Sequence, residues 1–557
     1  MNTKYLKRIL LLIILLMASF LRLWRLGSYP AFNADEAAIG YNAYSLIETG
    51  LDEHGNAWPL HFQSFNDFKP GLYFYLVLPF VKFMGLNEWS VRLPNALLGI
   101  ASVYLLYLLM RLYTKNATDD KYYLLELIPP ALLAISPWHI HFSRGGWEAN
   151  TSTFLLLSGF LCFLKFSSDR KYRFIYLSVV SLVLSMYTYH SARLIAPLMG
   201  LSFLIFSRNG FRENIKLFLS LGAFAIMISI PLGFSLVKGG VYSRVAGVGI
   251  FSDPGPLLRV NEQRGQHVDF SGIIPVVLHN KYIGYSLAFV NNWAKHFHGE
   301  FLFLSGDEIQ RSKVPETGQL YTFEFLTIAI GLLFVMYKWN GNGYGRMFWK
   351  LILFWLIISP VPAALTFQSP HALRAQNMVI PLTVISGYGL FMLIKAISNL
   401  KPSLRLLSQI VLSAIIAISF LRYFHMYFVH MSKEYPYSSQ YGVKELVSFL
   451  GSVDIPAEKI VVTTEYDQPY ILFLFYMKYS PREFQKDHVL SARDKYGFST
   501  VESFSKFIFK PINWDSDKLI YRNSMIIGTP DEIPIEANII KKIYGSNGYE
   551  YFRVVVN

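Results

Sequence analysis

Long apolar runs separated by short polar connections dominate the pattern of this chain. About 20 consecutive apolar residues are needed to cross a bilayer as a helix, so these runs predict membrane spans. We predict eleven spans, at residues 8–26, 92–112, 122–137, 151–166, 173–188, 194–207, 215–237, 321–337, 350–367, 377–396 and 404–421. The first run follows Lys4, Lys7 and Arg8 and has no small-residue cleavage site, which predicts an uncleaved first helix.

One further run, GLYFYLVLPFVKFMG at 71–85, is short for a span and contains Pro79 and Lys82. If it lies in the interface, Lys and Arg collect in every short connection on one face, at the N-terminus and at 111–121, 165–173, 208–216, 338–350 and 395–405. The positive-inside rule then makes that face cytoplasmic. Arg22 and Arg25, at the other end of the first span, are exceptions that we expect to contact lipid phosphate.

The opposite, extracytoplasmic face collects the less regular segments, at 27–91, 136–150, 189–193, 238–320, 368–377 and after about 423. Alternating runs at 459–464, 525–530 and 549–557 predict strands, and 470–479 predicts a helix. We therefore predict a transmembrane domain at 1–422, with outer loops at 27–91 and 238–320, and a small extracytoplasmic α/β domain at 423–557.

Composition agrees with a polytopic membrane protein. The 557 residues are 53% hydrophobic and 16% charged, whereas soluble domains average about 25% charged residues. We assign the net charge of +14 to cytoplasmic loops and anionic lipid, not to nucleic acid. The single cysteine, Cys162, excludes an intramolecular disulfide and argues against a cysteine-based metal site.

Two adjacent carboxylates, Asp35 and Glu36, follow the first span in NADEAAIGYNAYSL. Asn33 or Asp35 can cap the helix that follows, and Glu36 can complement its dipole. A capped carboxylate is also held rigidly enough for catalysis, so both interpretations stay open. Lys69, in NDFKPGLYFY, can extend toward the headgroups or bind a lipid-linked phosphate.

The other outer segments carry further polar groups, which are His139, His141, Arg144, Glu148, His190, Arg193, His296, His298, His371 and Arg374. Salt bridges and interfacial packing explain each of them singly. Several cations on the face that carries a carboxylate pair suggest an anionic lipid ligand. Asn116 and Asn150 match the N-glycosylation pattern, which is common by chance.

The order of these motifs resembles a known family. The acidic pair, KPGLYFYL, EWSVRLPNALLGI and SPWHIHFSRGGWEA are together similar to the polyprenyl-phosphate-sugar-dependent membrane glycosyltransferases of the C-type fold. That group includes the protein O-mannosyltransferases and the bacterial aminoarabinose transferases of lipid A. The resemblance covers about residues 1–200, is weaker at FLFLSGDE and SPHALRAQN, and is absent from the tail.

The resemblance implies that Asp35 is a general base, with Glu36 sharing or orienting the proton. An acceptor hydroxyl would displace polyprenyl phosphate from the sugar with inversion. Lys69, Arg144 and Arg374 would bind the donor phosphate, and the possible substrate-site residues are Glu148, His190, Arg193 and His371. The family usually has a second proline after the lysine, where this chain has Gly71.

We thus predict an enzyme that transfers a hexose or pentose from a polyprenyl-phosphate donor to a lipid, glycan or protein acceptor. Its active site would face outward from the bacterial plasma membrane. The resemblance to the protein O-mannosyltransferases and aminoarabinose transferases implies no metal cofactor, and His296 and His298 keep a divalent ion as an alternative. The competing functions are a lipid-linked glycan flippase, which predicts charged or broken mid-span segments, and a non-catalytic scaffold that binds through its outer domain.

Overall fold

The computed structural model describes residues 3–64, 67–115, 121–206, 214–238, 247–337, 344–435, 440–453, 456–492 and 499–557. Its contacts divide the chain into two compact units. Unit 1 comprises Met1–Arg22, Leu98–Ser143 and Glu148–Phe424, and unit 2 comprises Leu23–Leu97, Arg144–Trp147 and His425–Asn557. The predicted domain division at 422/423 stays a prediction. It lies close to one of the points at which the chain passes between the units.

The helices of the first half of the chain are α1 (Thr3–Leu23), α2 (Ala34–Thr49), α3 (Leu72–Met84), α4 (Glu88–Tyr113), α5 (Tyr122–Ile135), α6 (Pro137–Ser143), α7 (Glu148–Asp169), α8 (Tyr172–Met186), α9 (Ala192–Phe206), α10 (Ile215–Lys238), α11 (Gly255–Gly265) and α12 (Ile273–Leu278). Those that follow are α13 (Lys281–Lys295), α14 (Glu324–Tyr337), α15 (Tyr344–Ile358), α16 (Val361–Ala364), α17 (Val379–Ser398), α18 (Pro402–His425), α19 (Met431–Glu434), α20 (Val443–Ser452), α21 (Pro469–Met477), α22 (Pro481–Asp487) and α23 (Trp514–Ile520). Short 3-10 or π segments lie at Ile250–Ser252, Glu300–Leu304, Gln310–Ser312, Gln376–Met378 and Met426–His430.

Within the described residues, six helical segments are long and apolar enough to cross a membrane, at Glu88–Tyr113, Glu148–Asp169, Ile215–Val237, Tyr344–Ala364, Gln376–Ser398 and Pro402–Glu434. The pair α5 and α6, bent by 57°, makes a seventh if it is one span. The apolar helices α3, α8, α9 and α14 are shorter, at 10–17 residues. The predicted count of eleven spans therefore stays a prediction.

The expectation that Arg22 contacts lipid phosphate is wrong. In unit 1 its side chain is fully buried and donates to the carbonyls of Leu133 and Ala134 at 3.2 and 3.0 Å. Those carbonyls lie in the last turn of α5, where carbonyl groups lack the i+4 amide donors of the helix interior. Space for the guanidinium exists beside Gly99, where a Cβ would lie 3.1 Å from Arg22 Nε.

The strands of unit 2 are β1 (His61–Ser64), β2 (Asp67–Pro70), β3 (Ile460–Val462), β4 (Val489–Leu490), β5 (Val501–Phe504), β6 (Phe507–Phe509), β7 (Met525–Gly528), β8 (Ile539–Tyr544) and β9 (Glu550–Val556). β1 and β2 form an antiparallel pair, and the others form a seven-stranded sheet in the order β4-β5-β6-β3-β7-β9-β8. The central strand β3 pairs in parallel with β6 and β7, and the remaining pairs are antiparallel. The strands predicted at 459–464, 525–530 and 549–557 and the helix predicted at 470–479 are all present.

One hydrophobic core joins the first loop to the tail. It contains buried residues of α2 and α3 together with those of α20, α21 and the sheet. The rings of Phe32 and Phe475 lie 4.6 Å apart, and a Cβ added to Gly40 would lie 2.6 Å from the Phe475 ring. The helix that follows the acidic pair is therefore packed directly against the tail.

Candidate active site

Asn33 caps the helix that carries the acidic pair. Its side-chain oxygen accepts a hydrogen bond from the backbone N–H of Glu36 at 3.1 Å, and the Glu36 carboxylate accepts one from the N–H of Asn33 at 3.4 Å. This reciprocal arrangement is a capping box, which satisfies two free donors at the start of a helix. The N–H of Ala34 donates to the Gln440 side chain from the tail at 2.5 Å. The start of α2 is thus fixed from both sides.

Glu36 is buried and fully engaged. It is 1% exposed and pairs with Arg92, which donates to its two carboxylate oxygens through Nε and NH2, both at 2.7 Å. The N–H of Gly146 donates to Oε1 at 2.8 Å. A bidentate pair of this kind fixes orientation as well as charge. Both Glu36 oxygens are therefore occupied by protein donors.

Arg92 is a residue of the site that sequence reasoning missed. Its guanidinium also donates to the carbonyls of Leu26, Pro30 and Ala31, at 2.9, 2.9 and 3.2 Å. It thereby ties the chain before α2 to α4. The available signal was an arginine inside EWSVRLPNALLGI. A buried charge needs a partner, and Asp35 and Glu36 of the first loop were carboxylates that could supply one.

Asp35, one residue earlier in the first turn of α2, has a different environment. Its side chain is 25% exposed and forms an ion pair with Lys69. The N-terminal end of a helix stabilises negative charge, so this position favours an ionised carboxylate. Asp35 therefore combines a fixed backbone, an adjacent cation and access to solvent.

Lys69 lies on β2, opposite Phe62 of β1. Two residues further on, the N–H of Gly71 donates to the carbonyl of Leu60 at 2.9 Å. Proline has no N–H to donate, and a Cβ at residue 71 would lie 2.8 Å from that same carbonyl oxygen. The departure from the family's second proline thus has a local cause in the turn that follows Lys69.

A buried carboxyl group, that of Glu53, interacts electrostatically with Lys69. Asn42 holds it by two hydrogen bonds, from Nδ2 to Oε1 at 3.1 Å and from the Glu53 N–H to Oδ1 at 2.9 Å. Burial raises the pKa of Glu53 to about 8, Asp52 adds to the rise, and Asn42 and Lys69 oppose it. Among the described residues no donor meets Glu53 Oε2, and burial lowers the pKa of the neighbouring His54 to about 4.

Arg144, predicted to bind donor phosphate, is fully buried in unit 2. Its NH2 group donates to the carbonyls of Trp24 and Tyr29 at 2.8 and 3.1 Å. The guanidinium also lies over the rings of Tyr427 and Phe428, 5.7 and 5.1 Å from their centres. These contacts organise the entry to the first loop and leave the guanidinium no exposed face.

The remaining predicted site residues belong to unit 1. Glu148 is buried at the start of α7, and Arg193 donates to His190 Nδ1 at 2.9 Å. Arg374 donates to the Thr366 hydroxyl at 2.6 Å. The structure thus brings Asp35, Glu36 and Lys69 together in unit 2 and places these residues in the other unit.

His371 belongs to a cluster in unit 1 that joins the segment at 292–307 to the segment that follows α16. The backbone N–H of His371 donates to His296 Nε2 at 3.1 Å, and the ring Nδ1 of His371 lies 3.6 Å from the Asp307 carboxylate. His296 Nδ1 donates to the Asn292 carbonyl at 2.9 Å, so both ring nitrogens of His296 are occupied. Burial raises the pKa of Asp307 to about 6. Among the described residues, no group of three or more His, Cys, Asp and Glu side chains is placed to hold a metal ion.

Of the two asparagines that match the N-glycosylation pattern, the structure describes Asn150. Asn150 is fully buried in α7, and its side-chain oxygen accepts a hydrogen bond from Gln376 at 3.2 Å. A glycan cannot be attached there in the folded chain. Asn116 lies outside the described residues.

Comparisons with known proteins agree on one fold. A family model described as dolichyl-phosphate-mannose-protein mannosyltransferase matches residues 69–233. ArnT from Cupriavidus metallidurans, solved with undecaprenyl phosphate, is similar with a TM-score of 0.54 and 10% identity, over 100% of this chain and 98% of that one. No curated protein sequence matches the chain.

The Archaeoglobus fulgidus oligosaccharyltransferase is similar in two further structures, both at 14% identity over 85% of this chain. One, tethered to an acceptor peptide with an NVT sequon, has a TM-score of 0.52 over 63% of that protein. The other, AglB with an inhibitory peptide and a dolichol-phosphate, has a TM-score of 0.50 over 64%. This chain therefore spans less than two thirds of the archaeal protein, and at such identities the likeness concerns the fold.

Proposed function

We propose that this chain, an integral membrane protein of the C-type fold among the polyprenyl-phosphate-sugar glycosyltransferases, transfers a hexose or pentose from a polyprenyl phosphate to an acceptor hydroxyl. The observation that carries the proposal is the accessible Asp35 carboxylate, which is held in the first turn of α2 beside Lys69. Sugar transfer needs a base for the acceptor and a cation for the departing phosphate. The pair supplies both groups.

Asp35 acts as the general base in this proposal. Its carboxylate takes the proton of the acceptor hydroxyl while the acceptor oxygen forms a bond to the anomeric carbon. The bond from that carbon to the phosphate oxygen breaks, and its electron pair leaves with the polyprenyl phosphate. One displacement from the opposite face inverts the anomeric configuration.

Lys69 stabilises the leaving phosphate. Negative charge grows on the phosphate oxygens in the transition state, and a fixed ammonium in a partly buried site stabilises it strongly. The same ammonium pairs with Asp35. Donor phosphate would compete for Lys69 and loosen that pair, which makes the carboxylate more available as a base when the donor is bound.

Glu36 and Arg92 position the base. We propose this role for Glu36, in place of sharing the reactive proton, because protein donors occupy both of its oxygens. Arg144 takes a similar structural role at the preceding loop. Phosphate binding by Arg374, and substrate contacts by Glu148, His190, Arg193 and His371, stay predictions.

The ligands seen in structures of similar proteins support the classes of donor and acceptor that we propose. ArnT was solved with undecaprenyl phosphate and AglB with a dolichol-phosphate, and the archaeal enzyme was tethered to an acceptor peptide. We propose a polyprenyl-phosphate sugar as donor and a lipid, glycan or protein as acceptor. The basic short connections support eleven spans, with the acidic pair on the extracytoplasmic side of a bacterial plasma membrane.

Replacement of Asp35 by Asn tests the proposal. We expect transfer from polyprenyl-phosphate hexoses and pentoses to fall about 10²–10⁴-fold, the usual contribution of a general base, while undecaprenyl phosphate still binds. The matched control is Asp515→Asn, since Asp515 also pairs with a lysine in unit 2 but is 89% exposed on α23. Wild-type turnover in Asp35→Asn would overturn the base assignment. A flippase or a scaffold instead predicts no sugar transfer by the wild-type chain, because neither catalyses that reaction.

A further inference from the structure

Residues 247–298 of unit 1 expose an unusual amount of apolar side chain. Ile273 and Ile274 at the start of α12 are 83% and 67% exposed, and Phe270 just before them is 62% exposed. Val276, Val277 and Leu278 complete a nearly continuous exposed run. Contiguous exposed apolar patches of this kind mark interaction surfaces in folded proteins.

The helix that follows extends the patch. On α13, Ile283, Leu287 and Val290 are exposed, and their spacing of four and three residues places them on one face. Gly284 packs against α11, where its Cβ would lie 2.6 Å from Val260. α13 is thus held by its neighbours on one side and presents a stripe of apolar residues on the other.

Both ends of the segment are attached at one end of the candidate span Tyr344–Ala364. At the beginning, the N–H of Ile250 donates to the carbonyl of Leu365 at 2.9 Å. At the far end, the Asn292 side chain donates to the carbonyl of Thr366 at 3.1 Å. The indole of Trp293 donates to the carbonyl of Ile357 at 2.9 Å. The segment therefore begins and ends beside the C-terminal part of that candidate span.

The polar residues of α13 fit the same position. Its charged residues are Lys281 and Lys295, one at each end, and it also carries Tyr282, Tyr285 and Trp293. Lysine is attracted to lipid phosphate, and tyrosine and tryptophan are enriched at the boundary between headgroups and acyl chains. A second protein would not require this combination of basic ends, aromatic rings and an aliphatic stripe.

We propose that residues 270–290 are embedded in the leaflet at which the span Tyr344–Ala364 ends, with Phe270, Ile274 and the exposed stripe of α13 among the acyl chains. The partner of this surface is the lipid bilayer. Residues 270–290, which the sequence predicts to be part of a long outer loop, would then anchor the chain in one leaflet between two spans. The proposal is independent of Asp35 and of the transfer reaction.

Site-specific fluorescence in lipid nanodiscs tests the proposal. The chain has one cysteine, so Cys162→Ser provides a background in which Ile274→Cys and Leu287→Cys can each be labelled with an environment-sensitive dye. Ile226→Cys in the candidate span Ile215–Val237 is the lipid-facing control, being 68% exposed. Asp515→Cys in the tail is the water-facing control, being 89% exposed.

We expect blue-shifted emission and strong quenching by lipid-borne quenchers at 274 and 287, similar to position 226. Emission and quenching like those at 515 would overturn the proposal. Blue-shifted emission that lipid quenchers do not reduce would mean that protein covers the face, by self-association or by another chain, and would overturn it equally. Size-exclusion profiles of the labelled variants confirm that each is folded.

Discussion

Two adjacent carboxylates at the start of α2 have opposite surroundings because successive helix residues point about 100° apart. Glu36 faces inward, where Arg92 and the N–H of Gly146 neutralise and orient it. Asp35 faces a partly exposed region beside Lys69. At the residue scale, the buried Glu36 fixes the position of the accessible Asp35, because it anchors the helical turn that carries both residues.

The buried pair predicts a measurable coupling. Arg92→Met leaves the Glu36 carboxylate buried without its ionic partner and should cost about 3–5 kcal/mol. The double variant Glu36→Gln with Arg92→Met removes both charges and should recover part of that loss. Unfolding of the single and double variants in nanodiscs measures the coupling, and strictly additive losses would contradict a direct interaction.

Glu53 predicts a pH dependence of stability. Its pKa of about 8 in the folded chain lies above the ordinary value of about 4.3, so the folded state holds a proton that the unfolded state has lost. The associated stability is complete below about pH 4.3, declines as pH rises from there to the folded pKa of about 8, and is lost above it. Glu53→Gln should therefore gain stability relative to wild type between pH 5 and 8, by at most about 1.4 kcal/mol per pH unit. Unfolding at several pH values checks this, and a constant difference would contradict it.

At the element scale, α2 is held mainly by close packing on its neighbours. Gly40 permits that approach, since a Cβ there would lie 2.6 Å from Phe475 and 2.7 Å from Val91. Glycine inside a helix usually costs about 1 kcal/mol relative to alanine. Here the packing it allows outweighs that cost.

Gly40→Ala should accordingly destabilise unit 2, with overpacking of about 1–3 kcal/mol exceeding the gain in helix propensity. The control is Gly451→Ala in α20, where no atom lies within 4 Å of an added Cβ. That variant should be neutral or slightly more stable. Thermal unfolding compares the two, and a stabilised Gly40→Ala would show that α2 and α21 are less tightly packed than described.

At the scale of the whole molecule, unit 2 is assembled from distant parts of the chain. Residues 23–97, 144–147 and 425–557 form it together, and the tail supplies much of the core around α2. The tail is therefore a structural component of the candidate active site, even though no family motif lies in it.

Truncation after residue 424 should expose the apolar face of α2. We expect limited proteolysis to cut within 33–64 in the truncated chain but not in the full chain, and transfer activity to be lost. Activity and protease resistance equal to those of the full chain would contradict the shared core. The Asp515→Asn variant, with the tail intact, should retain both properties.

The sequence alone predicted the features of this protein that are set by neighbouring residues or by contact with lipid and water. Apolar runs predicted membrane helices, alternation predicted strands β3, β7 and β9, and the ordered motifs of the first half predicted the C-type fold, which the comparisons confirm. Helix capping at Asn33 and Glu36 was also predictable, because a capping box needs residues only three apart. These features depend on near neighbours or on contact with lipid and water.

Tertiary structure alone decided the partners of the buried charges. Arg92 joins Glu36 across 56 residues, Arg22 binds carbonyls of α5 instead of lipid, and Arg144 is taken up by the carbonyls of Trp24 and Tyr29. A buried charge takes whichever partner the fold brings within hydrogen-bond distance, and no periodicity along the chain encodes that choice. For the same reason, only the folded chain assigns anchoring to Glu36 and leaves Asp35 beside Lys69 with its carboxylate accessible.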